Sequence, residues 1–241
     1  VGLSWLPSRQ WTVYGNAGAS FRPNAGTDVD GGSFKPEKGR ALELGTKWES
    51  ADQRIGMTVA VFDIRKRNVL TSDPSNTGYT VAAGEIRSRG LELDFAGQVT
   101  THWRLNASFV LNDVEVAKDN SLEVGGRVLN VPKVNGSLLA VYEDVFGNGQ
   151  RYSIGGGTTH TGKRLGEART QAEASAGRPA FDLPAYTTAK LVAYWRLNPT
   201  LRLTLDVDNV FDKTYYTSSY SRVWVTPGMP RTITVGLQAR L

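Results

Sequence analysis

A segment near the end of the sequence gathers the side chains best suited to holding a ligand. Four aromatic residues stand close together there with two serines and one arginine: Tyr215, Tyr216, Ser218, Ser219, Tyr220, Arg222 and Trp224. Aromatic rings pack against an organic ligand at little entropic cost, and hydroxyl and guanidinium groups donate hydrogen bonds to its oxygens. The alternative is that these rings pack the loop itself. Our candidate binding residues are Tyr216, Tyr220, Trp224 and Arg222, whereas Tyr215 directly follows a strand pattern and is expected to be structural.

Catalytic and metal-binding patterns find no support in the sequence. It holds no G-x-S-x-G, H-E-x-x-H or phosphate-loop motif, and it contains no cysteine. The stretch "TDVDGG" fails as an EF-hand, because a loop starting at Asp28 requires Glu where Gly39 stands, so a turn is favoured. The two histidines, His102 and His160, lie on separate hairpins; His160 precedes a long loop. We therefore expect no enzyme activity, no catalytic residue and no metal ligand of the chain's own.

Composition narrows the class of protein. The 241 residues carry a net charge of +5, and the basic residues are scattered rather than clustered, so we expect no nucleic-acid partner. No run of about 18 apolar residues predicts a membrane-spanning helix, and no N-terminal secretion signal is visible. Because Val1 begins almost inside a strand-like segment, we expect the chain to be a piece of a longer protein.

The apolar residues recur with a period of two, which predicts strands. In "LRLTLDVD", Leu201–Asp208, aliphatic side chains alternate with Arg, Thr and Asp. The closing segment, Arg231–Leu241, likewise places Ile233 and every second residue up to Leu241 on one face. Such stretches number roughly ten or eleven and run for about 9–13 residues, long for soluble strands and suited to tilted membrane strands.

The connectors between these strands alternate in length. Short turns rich in turn-forming residues are Pro7–Gln10, Ser50–Gln53, Val99–His102, Phe146–Gln150 and Asn198–Thr200. Long polar connectors are Arg22–Gly39, Ser72–Gly78, Lys118–Val131, Gly162–Pro184 and Lys213–Pro230. Short turns at one end and long loops at the other predict an antiparallel transmembrane β-barrel, with Trp11, Trp48 and Trp103 beside short turns as an interfacial girdle. The alternative is a soluble β-sandwich that buries the aliphatic faces in a shared core.

Several segments also resemble one known family. "YGNAGASFRPNAG" (Tyr14–Gly26), "FKPEKGRALELGTKW" (Phe34–Trp48), "NVFDKTY" (Asn209–Tyr215) and "GMPRTITVGLQARL" (Gly228–Leu241) occur in the order and spacing seen in TonB-dependent outer-membrane receptors for ferric siderophores. The resemblance extends over the whole chain, residues 1–241. It implies an all-β protein in the bacterial outer membrane.

The resemblance also implies that much of such a receptor is missing from this sequence. Barrels of the family have about 22 strands, so ten or eleven strands amount to the C-terminal half of one barrel domain. The N-terminal plug, the first barrel strands and the short box gripped by the energy-transducing partner are expected to be absent. The chain ends in Leu241, where many such barrels end in Phe. We expect a half-barrel of this kind not to transport alone.

The function implied by the resemblance is binding of a ferric siderophore at the extracellular face and its import with energy from the TonB–ExbB–ExbD complex. Iron would arrive within the siderophore, so no cofactor is expected. Outer-membrane lipid and lipopolysaccharide are the expected surroundings. Other readings are uptake of cobalamin or haem by the same fold, a passive porin or adhesin barrel, and a soluble module that binds carbohydrate. Haem uptake would favour histidines in the loops, and only His160 is near one.

Basic side chains of the long connectors are further candidates for ligand contact. Arg22, which we include among the candidate site residues, flanks the first connector with Lys35, while Arg164, Arg169 and Arg178 occupy the fourth. Such residues attract anionic ligands, contact lipopolysaccharide phosphates or are simply solvated, and the sequence leaves these alternatives open.

Overall fold

The computed structural model describes residues 1–239 and consists almost entirely of strands. The elements are β1 (Gly2–Trp5), β2 (Trp11–Arg22), β3 (Glu37–Glu49), β4 (Ile55–Ser72), β5 (Thr80–Gln98), β6 (Trp103–Lys118), β7 (Val134–Val145), β8 (Arg151–Thr161), β9 (Arg164–Leu165), α1 (Gln171–Ser175), β10 (Asp182–Leu183), β11 (Tyr186–Arg196), β12 (Leu201–Asp208), β13 (Tyr216–Ser221), β14 (Trp224–Pro227) and β15 (Thr232–Ala239). Leu241, predicted to continue the last strand, lies outside the described residues. The one described helix, five residues long, is too short to cross a membrane.

Eleven of these strands form one antiparallel sheet in which neighbours in the sheet are neighbours along the chain. The order is β1-β2-β3-β4-β5-β6-β7-β8-β11-β12-β15, and two small sheets, β9 with β10 and β13 with β14, lie within the long loops. The predicted short turns join strands at one end of the sheet and the predicted long loops join them at the other. This arrangement confirms the predicted antiparallel fold and the asymmetry of its connections.

One face of the sheet, which we call the outer face, carries exposed aliphatic side chains. In one row of register partners, Leu44, Val61 and Leu91 lie directly opposite one another on β3, β4 and β5. Leu44 is 58% exposed and Val61 is 48% exposed. Similar side chains continue across the sheet: Leu42, Phe109, Leu111, Leu138, Ile154, Leu191, Leu205, Ile233, Val235 and Leu237.

No second layer covers this aliphatic band within residues 1–239. The buried hydrophobic residues in that range are only Ala60, Val116, Leu165 and Leu183, too few for a sandwich core. Soluble proteins rarely expose a contiguous apolar surface of this extent, because its transfer out of water is strongly favourable. The soluble sandwich is therefore wrong, and the outer face suits the hydrocarbon of a membrane.

The opposite, inner face is polar and in places very closely packed. On β12 it carries Asp208, whose carboxylate lies 3.5 Å from the ammonium group of Lys190 on β11. On β8 it carries Gly155 and Gly157, where a Cβ would come within 2.7 Å of the Ala140 carbonyl oxygen and within 2.6 Å of the Leu138 carbonyl oxygen. The glycine run thus permits close backbone packing, as its position in a strand indicates.

An aromatic belt lies on the outer face beside the short turns. The rings of Trp11 and Trp48 have centroids 6.5 Å apart. Farther along the sheet, a chain of ring contacts with centroid separations of 4.2–6.4 Å joins Trp103, Tyr142, Tyr152, Phe146 and Trp195. The predicted girdle is confirmed and is larger than the tryptophans alone indicated. Amphipathic rings favour the boundary between hydrocarbon and water.

Three strands are longer than the sequence pattern indicates. β4, β5 and β6 contain 18, 19 and 16 residues, whereas a tilted strand needs only about 9–11 residues to span a bilayer. Beyond Val61, charged residues replace aliphatic ones on the outer face, so the apolar alternation does not predict the full length of these strands. These strands continue past the aliphatic band toward the long loops.

Candidate ligand-binding site

The motif "NVFDKTY" forms a tight turn that starts the last long loop. Asn209 is buried and adopts a positive φ of 49°. Its side-chain oxygen accepts a hydrogen bond from the Lys213 backbone N–H at 2.9 Å, and its amide nitrogen donates to the carbonyl oxygens of Lys213 and Met229 at 2.9 and 3.1 Å. Asparagine suits this site because it tolerates left-handed backbone and bonds to nearby main chain. The motif therefore positions the segment that follows it.

That segment is the hairpin of β13 and β14, which carries four of the predicted binding residues. Tyr220 is 78% exposed and Trp224 is 71% exposed, while Tyr216 at the base is partly exposed. Ser219, between these rings in the sequence, is buried instead. The hairpin thus has a packed side and an open side, and three rings are accessible to a ligand.

The packed side of the hairpin is held by hydrogen bonds to two other long loops. Asn130 donates from its side-chain amide to the Ser219 carbonyl oxygen at 2.7 Å and accepts from the Ser219 N–H at 2.9 Å. The Ser219 hydroxyl donates to the Gly166 carbonyl oxygen, and the Arg164 guanidinium donates to the Tyr216 carbonyl oxygen. Partners on the third and fourth long loops therefore fix the hairpin that presents the rings.

Tyr215 packs beneath the hairpin, as its position after the strand motif indicates. Its ring lies 4.4 Å, centroid to centroid, from that of Tyr186 on β11. Tyr186 pairs with Thr161 and shares the inner face with it, and its ring also lies 5.2 Å from the Arg164 guanidinium carbon. The base of the hairpin is therefore joined to the inner face of the sheet, the side on which a ligand would enter a barrel.

The basic residues of the fourth long loop make contacts within the loops. Arg164 is 1% exposed, so its side chain is neither solvated nor accessible to a ligand. Arg169 lies 3.1 Å from the Glu123 carboxylate, and Arg178 lies 3.6 Å from that of Glu173. Their charges are largely compensated: the Arg169 pair joins the fourth long loop to the third, whereas the Arg178 pair lies within the fourth.

The Arg222 side chain makes contacts within the loops and is also partly exposed to solvent. Its Nε donates to the Glu167 carboxylate at 2.9 Å and its terminal nitrogen donates to the Pro179 carbonyl oxygen at 3.0 Å. The side chain is nevertheless half exposed beside Tyr220 in the sequence. It positions the hairpin and retains donors that face solvent.

Arg22 lies far in the strand order from the four candidate residues of the last long loop, Tyr216, Tyr220, Trp224 and Arg222. It ends β2 rather than belonging to a loop, and its guanidinium lies 3.4 Å from the buried carboxylate of Glu37, which Lys66 also approaches at 3.0 Å. The hairpin follows β12, near the other end of the sheet. The structure therefore groups Tyr216, Tyr220, Trp224 and Arg222 and leaves Arg22 separate.

His160 does not reach this region. Its register partner Gly136 pairs with Phe109, which places all three residues on the outer face. The His160 ring nitrogen lies 2.8 Å from the Thr187 hydroxyl on the next strand. Although His160 precedes a long loop, strand alternation directs its side chain to the face opposite the polar inner face.

Charged groups also hold the loop cluster together at neutral pH. Asp182 lies 2.6 Å from Arg127 and 2.8 Å from Lys163. Burial raises the pKa of the Asp182 carboxyl, but hydrogen bonds from Lys163 and Arg127 outweigh burial and hold that pKa below its ordinary value. The carboxylate therefore remains charged at neutral pH and joins the third and fourth long loops.

The site offers packing surfaces and hydrogen-bond donors. Exposed rings and one guanidinium suit an organic ligand that presents oxygen atoms, while the buried Ser219 hydroxyl is already bonded within the loops. Within residues 1–239 no group of three or more His, Cys, Asp or Glu side chains is placed to hold a metal ion. The sequence did not reveal that Asn130 and Arg164 hold the hairpin, because their partners are backbone groups brought together only by the fold.

The chain was compared with known proteins. A family model described as "TonB dependent receptor-like, beta-barrel" matches residues 1–210. The metal-pseudopaline receptor CntO of Pseudomonas aeruginosa is 43% identical over 237 residues, covering 98% of this chain and 32% of that protein. The ferrichrome outer membrane transporter/phage receptor of Escherichia coli is 28% identical over 224 residues, covering 91% of this chain and 29% of that protein.

The fold also matches that of a solved structure. The siderophore receptor PiuA from Acinetobacter baumannii superposes with a TM-score of 0.82 at 23% identity, covering 99% of this chain and 35% of that one. The chain spans about a third of the length of the curated relatives it matches. With its aliphatic outer face, polar inner face and turn-side aromatic belt, the chain belongs to the β-barrel domain of the TonB-dependent receptors of the bacterial outer membrane.

Proposed function

We propose that the protein is an outer-membrane receptor that binds a ferric siderophore at its extracellular face and imports it with energy supplied through TonB. The observation that carries this proposal is the fixed hairpin whose open side presents Tyr216, Tyr220 and Trp224. Rigid aromatic rings bind an organic chelate with little loss of side-chain entropy. The metal would be bound by the chelate, so the chain needs no metal ligand of its own.

Hydrogen-bond donors near the rings support an oxygen-rich ligand. Arg222 retains solvent-facing donors, whereas the hydroxyl of the exposed Thr217 already donates to the Thr226 carbonyl oxygen. The inner-face anchoring of the hairpin through Tyr215 and Tyr186 places these groups at the long-loop end of the sheet. A ligand bound there would stand above the inner face along which import would proceed.

A second candidate ligand is a metal–pseudopaline complex. The relative named for that ligand is 43% identical over almost the whole chain, whereas the ferrichrome transporter is 28% identical. Both ligands are metal chelates, so the same aromatic hairpin serves either. The two candidates are separated by titration with each loaded chelate.

The test is an equilibrium titration of the protein at the full length that its gene encodes, followed by tryptophan fluorescence. We expect saturable quenching by a metal-loaded chelate and much weaker quenching by the metal-free form. Replacing Tyr216, Tyr220 and Trp224 together by Ala is expected to weaken the affinity about tenfold or more, because truncating one anchoring aromatic residue costs more than about 1 kcal/mol.

A matched control removes the same residue types at the other end of the sheet. Tyr142→Ala, Tyr152→Ala and Trp195→Ala also delete two tyrosines and one tryptophan, and these lie on the outer face beside the short turns. The control variant is expected to bind as the unmodified protein does. Unchanged affinity in the hairpin variant would show that the hairpin is not part of the binding site. If no loaded chelate gave saturable quenching, the receptor proposal would be refuted.

A further inference from the structure

A row of three arginines lies on the inner face at the short-turn end of the sheet. Arg196 on β11 and Arg202 on β12 are direct register partners. Arg151 begins β8, and the pairing of Tyr152 with Trp195 places Arg151 beside Arg196 on the adjoining strand. Because Trp195 belongs to the aromatic belt of the outer face, strand alternation directs the three arginines to the inner face. We call Arg151, Arg196 and Arg202 the turn-side arginine row.

No carboxylate compensates the turn-side arginine row within residues 1–239, where none of its three guanidinium groups forms an ion pair. Two acidic residues line the same cavity as the row, but each has another partner. Glu143 lies 3.2 Å from Arg104, and Asp144 accepts a hydrogen bond from the Tyr142 hydroxyl at 2.7 Å. Three positive charges therefore stand side by side without a carboxylate partner.

The described polar contacts of Arg202 are with neutral groups. Its Nη1 lies 3.4 Å from the side-chain oxygen of Gln238, and its guanidinium carbon lies 4.2 Å from the centre of the Tyr194 ring. Like charges at directly opposite positions of a sheet repel and destabilise the pairing, as Arg196 and Arg202 do. The turn-side arginine row is therefore stabilised when an anion binds between its guanidinium groups.

The row borders a cavity large enough for a small organic anion. The cavity has a volume of about 480 Å³, and its wall includes all three arginines together with Ser153 and Tyr194. Sites for small organic ligands range from about 300 to 1,000 Å³. Ser153 and Tyr194 are register partners, so a hydroxyl and an aromatic ring adjoin the row on its long-loop side. These groups suit a ligand that carries carboxylates on an organic framework.

The turn-side arginine row is separate from the hairpin of β13 and β14. Arg196 ends β11, whereas Tyr186, which packs against Tyr215 at the base of the hairpin, begins it. Ten residues of an antiparallel strand span about 34 Å, so one small ligand cannot contact both places. Both nevertheless adjoin the inner face. A chelate that moved along this face would meet the hairpin first and the row last.

We propose that the turn-side arginine row is an exit site that binds carboxylate groups of the metal chelate before the chelate leaves the inner face at the short-turn end. A planar guanidinium group donates two parallel hydrogen bonds to a carboxylate. Neighbouring strands lie about 4.8 Å apart, so the row spans about 10 Å and holds two or more carboxylates of one ligand. This site rests on the proposed import function, and it assigns the chelate to the class that carries carboxylates.

The test is equilibrium dialysis of the protein at the full length that its gene encodes, with ferric citrate that contains radioactive iron. Ferric citrate presents several carboxylates, whereas the neutral ferric tris-acetohydroxamate complex presents none. Replacement of Tyr216, Tyr220 and Trp224 by Ala serves as the background, so that the hairpin does not contribute to binding. In that background we expect saturable binding of ferric citrate and little binding of the acetohydroxamate complex.

The turn-side arginine row is removed by Arg151→Gln, Arg196→Gln and Arg202→Gln together. We expect the affinity for ferric citrate to fall about tenfold or more, because three partners for charge-assisted hydrogen bonds are lost. A matched control is expected to retain that affinity. It removes a register row of three arginines from the outer face: Arg40→Gln, Arg65→Gln and Arg87→Gln.

Absence of saturable ferric citrate binding, equal loss of affinity in the two arginine variants, or equal binding of the two iron complexes would overturn the proposal. Displacement of ferric citrate by a lower concentration of hexaglutamate than of citrate would also overturn it, because the row would then hold an acidic peptide.

If the triple variant does not fold, Arg151→Gln with Arg196→Gln, both exposed, provides the same comparison, and undiminished affinity in that variant would equally overturn the exit site. Failure of the chelate titration at the hairpin would refute the proposed function while ferric citrate still bound to the row. Loss of the exit site alone would leave the hairpin titration unchanged, so the two failures are distinguishable.

Discussion

At the scale of single residues, the candidate site depends on a few polar side chains that hold backbone groups. Asn209 and Asn130 both adopt positive φ and both bond to main chain of another segment. The sequence identified the exposed rings because aromatic and hydroxyl residues cluster in one loop. It did not identify Asn130, because the partner of Asn130 is 89 residues away along the chain. Contacts of this kind arise from the fold, and no local pattern encodes them.

Loss of the Asn130 side chain is expected to free the hairpin of β13 and β14. Asn130→Gly keeps the left-handed backbone at φ 61° but removes both hydrogen bonds to Ser219. A net contribution of about 1 kcal/mol per bond predicts opening of the hairpin roughly 30-fold more often. Hydrogen–deuterium exchange of peptides covering residues 216–227 measures this opening.

Asn148→Gly provides the control for that measurement. Asn148 lies in a short turn at the other end of the sheet, where its side chain bonds to Gln150. Its loss is expected to leave exchange in the hairpin unchanged. Equal protection of the hairpin in the Asn130→Gly variant and the unmodified protein would show that Asn130 does not hold it.

At the scale of elements, strand alternation predicted most of the fold. The alternation in β12 predicted its two faces, and the turn-forming residues marked the short turns. The short elements β9, α1, β10, β13 and β14 were not predicted, because segments of two to six residues carry no periodicity long enough to detect. Their positions depend on contacts made within and between the loops, such as the pairing of Asp182 with Leu165 inside the fourth long loop and the bonds of Asn130 to Ser219.

The two faces of β12 are expected to respond differently to a charge. Leu205→Arg places a guanidinium on the outer face near the middle of the aliphatic band, which costs about 2–4 kcal/mol at the bilayer midplane. Thr204→Arg places the same group on the inner face, beside Asp206 and opposite Gly236. Urea unfolding in lipid vesicles measures both variants. Equal destabilisation, or a larger effect at Thr204, would contradict the assignment of the faces.

At the scale of the whole molecule, the chain combines a lipid-facing surface, a polar inner surface and a loop cluster at one end. The loops are joined to one another by ion pairs and hydrogen bonds, and the hairpin is joined to the inner face. A receptor requires loops that hold a ligand in a fixed geometry, so the joined loops support the proposed receptor function. Energy-dependent import is a proposal, because the chain spans about a third of the length of its relatives.

The proposed import function is tested by measuring uptake of a metal chelate into cells. Cells that lack the gene are compared with cells in which it is restored, using chelates loaded with a radioactive metal. We expect saturable uptake in the restored cells that stops when an uncoupler collapses the membrane potential. Equal uptake in both strains, or uptake that is unaffected by the uncoupler and proportional to concentration, would contradict it.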